Sequence, residues 1–157
     1  MKQNISYKKR KLADLMRQSL NVAPVIVLSG ARQVGKSTLL LNEPPFKEWV
    51  YFSFDDPALL HFARSNPEEL LNSGSSLVID EAQKAPELFS CIKLAIDKNR
   101  TRRFVLSGSA NLLLMKKISE SLAGRAIYFE LLPFSFSEYK EKSSWLSDFI
   151  STGQRTR

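Results

Sequence analysis

The chain has 157 residues, 43% of them apolar and 25% charged, which suits one domain with a hydrophobic core and excludes a highly charged, disordered chain. Its net charge of +7 suits polyanions, nucleotide phosphates first and nucleic acid as an alternative. No apolar run approaches the ~18 residues that cross a bilayer, no signal-peptide core follows the basic start MKQNISYKKRK, and the single cysteine, Cys91, has no internal partner, so a cytoplasmic protein without a membrane segment is expected.

In chain order, Leu12, Leu15, Met16 and Leu20 recur at helical spacing, predicting an amphipathic helix over residues 8–20 with KKRK on its solvated face. VIVLS (25–29) reads as a buried strand, and a helix opens at Lys36 and runs to Asn42. WVYFSF (49–54) is β-branched and aromatic and predicts a second strand. Asp55-Asp56-Pro57 predicts a helix start with an acidic cap, and Asn66-Pro67 predicts its break. SLVID (76–80) is the third strand, and residues 86–98 form a helix with Leu88, Ile92, Ala95 and Ile96 on one face. That helix places Cys91 in a core-packing stretch. RFVLSGS (103–109) is the fourth strand and its exit, 112–122 a helix, and AIYFELLPF (126–134) a fifth strand stopped by Pro133. Apolar strands separated by helices imply an α/β fold, a parallel sheet covered on both faces. Residues 1–20 are read as an N-terminal helix, 21–136 as the core, and 137–157 as a tail that is partly disordered or truncated.

GARQVGKST (30–38) fits G-x-x-x-x-G-K-[ST] between a strand and a helix. Gly30 lets the chain turn, and Gly35 allows backbone N–H groups to approach phosphate oxygens. Gly30, Ala31, Arg32, Gln33, Val34, Gly35, Lys36, Ser37 and Thr38 are therefore the expected nucleotide-binding loop. Lys36 reaches the β- and γ-phosphates, and Ser37 ligates Mg²⁺. LVIDEAQK (77–84) carries Asp80 and Glu81 to the carboxyl end of a strand, where ligands of open α/β sheets sit. Asp80 is expected on Mg²⁺ and Glu81 as the general base. In RFVLSGSAN, Ser109 is the first choice to sense the γ-phosphate, with Ser107 and Asn111 behind it. Arg125 either stabilises the transferred phosphate, in cis or from a neighbouring subunit, or pairs with an acid.

GARQVGKST, YFSFDDP, VIDEAQK, LSGSAN and LAGRA…LLPFSFSEY, in this order, resemble the AAA-type P-loop ATPase family of uncharacterised bacterial and archaeal proteins over about residues 10–140. The resemblance implies a P-loop NTPase three-layer sandwich with a five-stranded parallel sheet of order 5-1-4-3-2, and ATPase activity. It gives Lys36, Ser37, Asp80 and Glu81 the roles already argued. Members of that family continue into a C-terminal domain, whereas this sequence stops soon after the core.

SGSANLLL after the fourth strand offers no [NT]-K-x-D for guanine, so ATP with Mg²⁺ is the expected ligand. The leading reading is an ATPase core, and the alternative is a nucleotide-dependent binding module with little or no turnover. A helicase would need a second motor lobe. The basic clusters at 8–11, 100–103 and 116–117 are not interleaved with aromatics, so nucleic acid stays unsupported. Phe134, Phe136, Tyr139, Trp145, Leu146, Phe149 and Ile150 follow the last strand and predict self-association or a protein partner.

Overall fold

Short runs of β-branched and aliphatic residues make strands that are buried on both faces only if helices cover both. The protein's architecture, seen in a computed structural model that describes residues 7–109, 118, 120–136 and 138, follows that requirement. The strands β1 (Val25–Ser29), β2 (Val50–Ser53), β3 (Ser76–Asp80), β4 (Arg103–Ser107) and β5 (Ala126–Glu130) form one sheet of order β2-β3-β4-β1-β5. Every neighbouring pair is parallel. This is the expected order 5-1-4-3-2 read from the other edge.

Successive strand residues face opposite ways. Val25 and Val27, Leu77 and Ile79, and Phe104 and Leu106 share one face. Ile26 and Leu28, Val78, and Val105 share the other. The first face is covered by α3 (Pro57–Ser65), α4 (Pro67–Asn72) and α5 (Leu88–Lys98), the second by α1 (Lys11–Ser19) and α2 (Lys36–Asn42). Leu88, Phe89, Ile92 and Ile96 dock α5. Burial of such side chains, about 1.5–3 kcal/mol each, far exceeds the ~0.7 kcal/mol span of ordinary helix propensities, so packing fixes this helix.

Asp56 caps α3 by accepting from the N–H groups of Ala58 and Leu59, with Pro57 as the first helical residue. Asn66 ends α3 and Pro67 opens α4. No described helix is long and apolar enough to cross a membrane.

Three expectations change. The first helix begins at Lys11 rather than residue 8; of the expected face, Met16 is buried and Leu12 and Leu20 pack against the same core, joined by Ala13, while Leu15 is 54% exposed. Arg10, expected on a solvated face, is 3% exposed. The fifth strand ends at Glu130, before Pro133, because its one neighbour, β1, ends at Ser29; the Leu131 N–H to Ser29 carbonyl bond of 2.8 Å is the last between them. The expected helix 112–122 other than residues 118 and 120–122, Asn111, and the tail 137–157 other than Glu138 lie outside the described residues.

Candidate functional site

Because the strands are parallel, all their carboxyl ends meet at one edge. There β1 delivers the loop 30–35, β3 delivers Asp80 and Glu81, and β4, which lies between them, delivers Ser107. Gly30 is dictated by close approach. With φ of 151°, a Cβ there would stand 2.5 Å from the Leu131 carbonyl oxygen. Gln33 (φ 63°) and Gly35 (φ 97°) both adopt left-handed backbone, which is uncommon for a residue such as glutamine and is a form of strain found at ligand sites. Ala31, Arg32, Gln33 and Thr38 are exposed, and Val34, Gly35 and Ser37 are half-buried. Lys36 is buried and folds back into the loop, its Nζ donating to the carbonyls of Gly30 at 3.0 Å and Ala31 at 2.9 Å.

Asp80 is the hub. Its Oδ2 accepts from Ser37 Oγ at 2.5 Å and from Tyr51 Oη at 2.6 Å. Its Oδ1 accepts from Ser107 Oγ at 2.6 Å and from the Glu81 N–H at 3.1 Å. Burial would raise the Asp80 carboxyl, but the bonds from Ser107, Ser37, Tyr51 and the Glu81 N–H outweigh it and hold the group below its ordinary range, ionised. Burial, then the bond to the Asp80 carboxylate and its charge, push the Tyr51 phenol up, so it stays a donor. A carboxylate and a hydroxyl on one spot are hard oxygen donors that fit Mg²⁺, which is bound by few protein ligands and keeps waters and phosphate oxygens. Among the described residues no cluster of three or more His, Cys, Asp or Glu forms a closed metal cage.

Glu81 follows β3 with a left-handed φ of 55°, and its carboxylate accepts from Gln83 Nε2. Gln83 Oε1 is buried without a partner among the described residues. Ser107, rather than Ser109, is the serine brought to Asp80; Ser109 lies two residues past β4, half-buried. Arg125 is not brought to this edge. It precedes β5, at the amino end of the sheet, where its guanidinium meets Asp97 with Nε at 2.9 Å and Nη2 at 2.8 Å from Oδ1. A strand of five residues, roughly 16 Å, separates that end from the loop.

Sequence reasoning missed Tyr51 and Arg10. A tyrosine in an otherwise apolar strand needs a partner for its hydroxyl, which was a usable signal for Tyr51. Arg10, inside KKRK, carried none; it reaches the loop at the Val34 carbonyl, 3.1 Å from Nη1.

A cavity of about 630 Å³ adjoins the loop, bounded by Tyr7, Arg10, Gly35, Thr38, Asn42 and Phe134. Two others, of about 440 Å³ beside Cys91 and Arg102 and about 430 Å³ beside Asp97 and Arg125, lie away from the loop.

Residues 22–140 match a family model described as an AAA domain. An uncharacterized protein of Mycobacterium tuberculosis is 37% identical over 126 residues, 78% of this chain and 28% of that protein. One of Methanocaldococcus jannaschii is 30% identical over 122 residues, 72% of this chain and 27% of that protein. The chain thus spans less than a third of the length of these relatives. Among solved structures, a Walker-type ATPase of Pyrococcus abyssi superposes with a TM-score of 0.59 at 18% identity, covering 98% of this chain and 63% of that one, a likeness of fold.

Proposed function

The chain belongs to the AAA-domain family and is a P-loop NTPase-type nucleotide-binding module; from that premise we propose that it binds MgATP in loop 30–38 and hydrolyses it to ADP and phosphate. The observation that carries the proposal is one cluster: Lys36 folded inside a glycine-bounded loop, beside the Ser37–Asp80 pair at 2.5 Å.

The loop's N–H groups and the Lys36 ammonium take the phosphates. An ammonium is attracted more strongly to an anionic phosphate oxygen than to a neutral carbonyl, so phosphate oxygens displace the Gly30 and Ala31 carbonyls from Nζ. Ser37 and Asp80 would hold Mg²⁺, which when bound supplies positive charge to the phosphate oxygens. The nucleoside fits the cavity past Thr38, between Tyr7 and Phe134. Glu81 takes a proton from the attacking water as its oxygen bonds to the γ-phosphorus. The bond from that phosphorus to the bridging oxygen breaks, and its electron pair leaves with ADP. Gln83 orients the Glu81 carboxylate meanwhile. Adenine is preferred because SGSANLLL after β4 lacks a guanine-reading signature.

Glu81→Gln tests the chemistry. It keeps the shape and removes the base, so MgATP still binds while phosphate release falls by about 10²-fold or more. Release at the wild-type rate would assign the proton to another group.

A second reading, a nucleotide-dependent interaction module with little turnover, draws on Leu132, Phe134 and Phe136, which are 62%, 44% and 63% exposed after β5. Such a run suits a second copy of this chain or another protein.

A further inference from the structure

Arg10 is a charged side chain with almost no access to water, 3% exposed, and it stands against the loop rather than in it. Four contacts fix its guanidinium. Nη2 donates to the Leu132 carbonyl at 2.5 Å, Nε meets Glu138 Oε1 at 3.4 Å, and the group lies over the Phe134 ring, 4.2 Å from its centroid. The fourth contact goes from Nη1 to the Val34 carbonyl of the loop, at 3.1 Å. Glu138 is itself held by the Lys11 N–H at 3.0 Å and the Ser135 N–H at 3.0 Å, so the anchor does not swing freely.

The contact with Val34 has a consequence one atom further along the chain. The Val34–Gly35 peptide is trans, since the cis bond of the described chain is Pro44–Pro45. In a planar trans peptide the C=O of one residue and the N–H of the next point in opposite directions. An arginine that draws the Val34 oxygen to itself therefore turns the Gly35 N–H the other way. Arg10 stands beside Gly35, its Nη1 3.9 Å from where a Cβ would sit. Gly35 has φ of 97°, and glycine, without a Cβ, tolerates either sign of φ, so the residue itself does little to fix this peptide unit.

We infer that Arg10 is a positioning residue for the phosphate loop: it holds the Val34 carbonyl outward and so presents the Gly35 N–H to a bound polyphosphate. This rests on the nucleotide reading above. It also ties the loop to Leu132, Phe134 and Glu138, so the segment leaving β5 and the phosphate loop share one anchor.

Sodium tripolyphosphate is the test ligand, because it can touch the loop but has no base or sugar. Wild type, Arg10→Met and Arg10→Lys are compared by calorimetric titration with tripolyphosphate and with MgATP, and by the NMR shift of the Gly35 amide on adding each. Thermal melts report whether each variant folds. Arg10→Met binds both ligands weaker by the same factor, roughly tenfold, and its Gly35 amide moves less than in wild type. Arg10→Lys keeps a charge beside Glu138 but lacks the planar fork whose Nη1 and Nη2 reach the Val34 and Leu132 carbonyls; it shifts in the same direction by less, and carries the comparison should Arg10→Met not fold. Wild-type tripolyphosphate affinity with a full Gly35 shift in a folded variant overturns the inference, as does a loss confined to MgATP, which would place Arg10 on the nucleoside. A wild type that binds neither ligand overturns the nucleotide reading itself, and this role with it.

Discussion

Three hydroxyls and one N–H converge on Asp80, and each restricts where its two oxygens point. Ser37 and Tyr51 share Oδ2, while Ser107 and the Glu81 N–H share Oδ1. A carboxylate held this way is preorganised for a cation, and the half-buried Tyr51 phenol donates into it. Tyr51→Phe deletes one of these bonds and little volume. It should lower stability by about 1 kcal/mol, read as a fall in the urea midpoint at unchanged slope. An unchanged midpoint would mean that the bond contributes nothing net. The loop, Asp80 and Glu81 were legible because their signal lies in adjacent residues. Of Tyr51 only the need for a partner was legible, because that partner stands 29 residues away, and of Arg10 nothing was, its partners standing 24, 122 and 128 residues away. KKRK has the composition of a surface, and only the tertiary fold turns its third residue inward.

At the scale of elements, the ends decide more than the middles. Strands β1 to β4 and the helices on both faces follow from periodicity, and α3 from its Asp56 cap and Pro57. β5 stops early because a parallel edge strand has one neighbour, and β1 turns away at Gly30, a limit that the run AIYFELLPF does not encode. Past β5, Glu138 closes the anchor that joins α1 to this segment. Burial would raise its carboxyl, but the N–H groups of Ser135 and Lys11, the Arg10 charge and the Ser135 hydroxyl hold it below the ordinary glutamate value of 4.5. A carboxyl depressed in the folded state adds stability above its unfolded value, and loses that contribution as pH falls through the folded value. Wild type should therefore lose more stability than Glu138→Gln on going from about pH 6 towards pH 3. Parallel profiles for the two proteins, measured by thermal melting across that range, would remove Glu138 from the account.

As a whole molecule, the chain closes five strands under two layers of helices and still leaves Leu132, Phe134 and Phe136 facing outward. Apolar side chains grouped this way favour association. Light scattering should find species larger than a monomer, or a shift to them with MgATP, together with slow phosphate release. A strict monomer with brisk turnover would show that these side chains need no partner. The same scale explains Arg125. Its place just before a parallel strand sets it at the amino end, where it pairs with the acid Asp97. The proposal for the loop leans most on Lys36, whose buried ammonium sits inside the loop on the Gly30 and Ala31 carbonyls. Titrating MgATP into wild type and Lys36→Ala therefore tests the central claim most directly. Loss of a charge-assisted contact of about 1.5–3 kcal/mol should weaken binding roughly ten- to a hundredfold, and equal affinity in the two proteins would contradict the assignment of this loop as the nucleotide site.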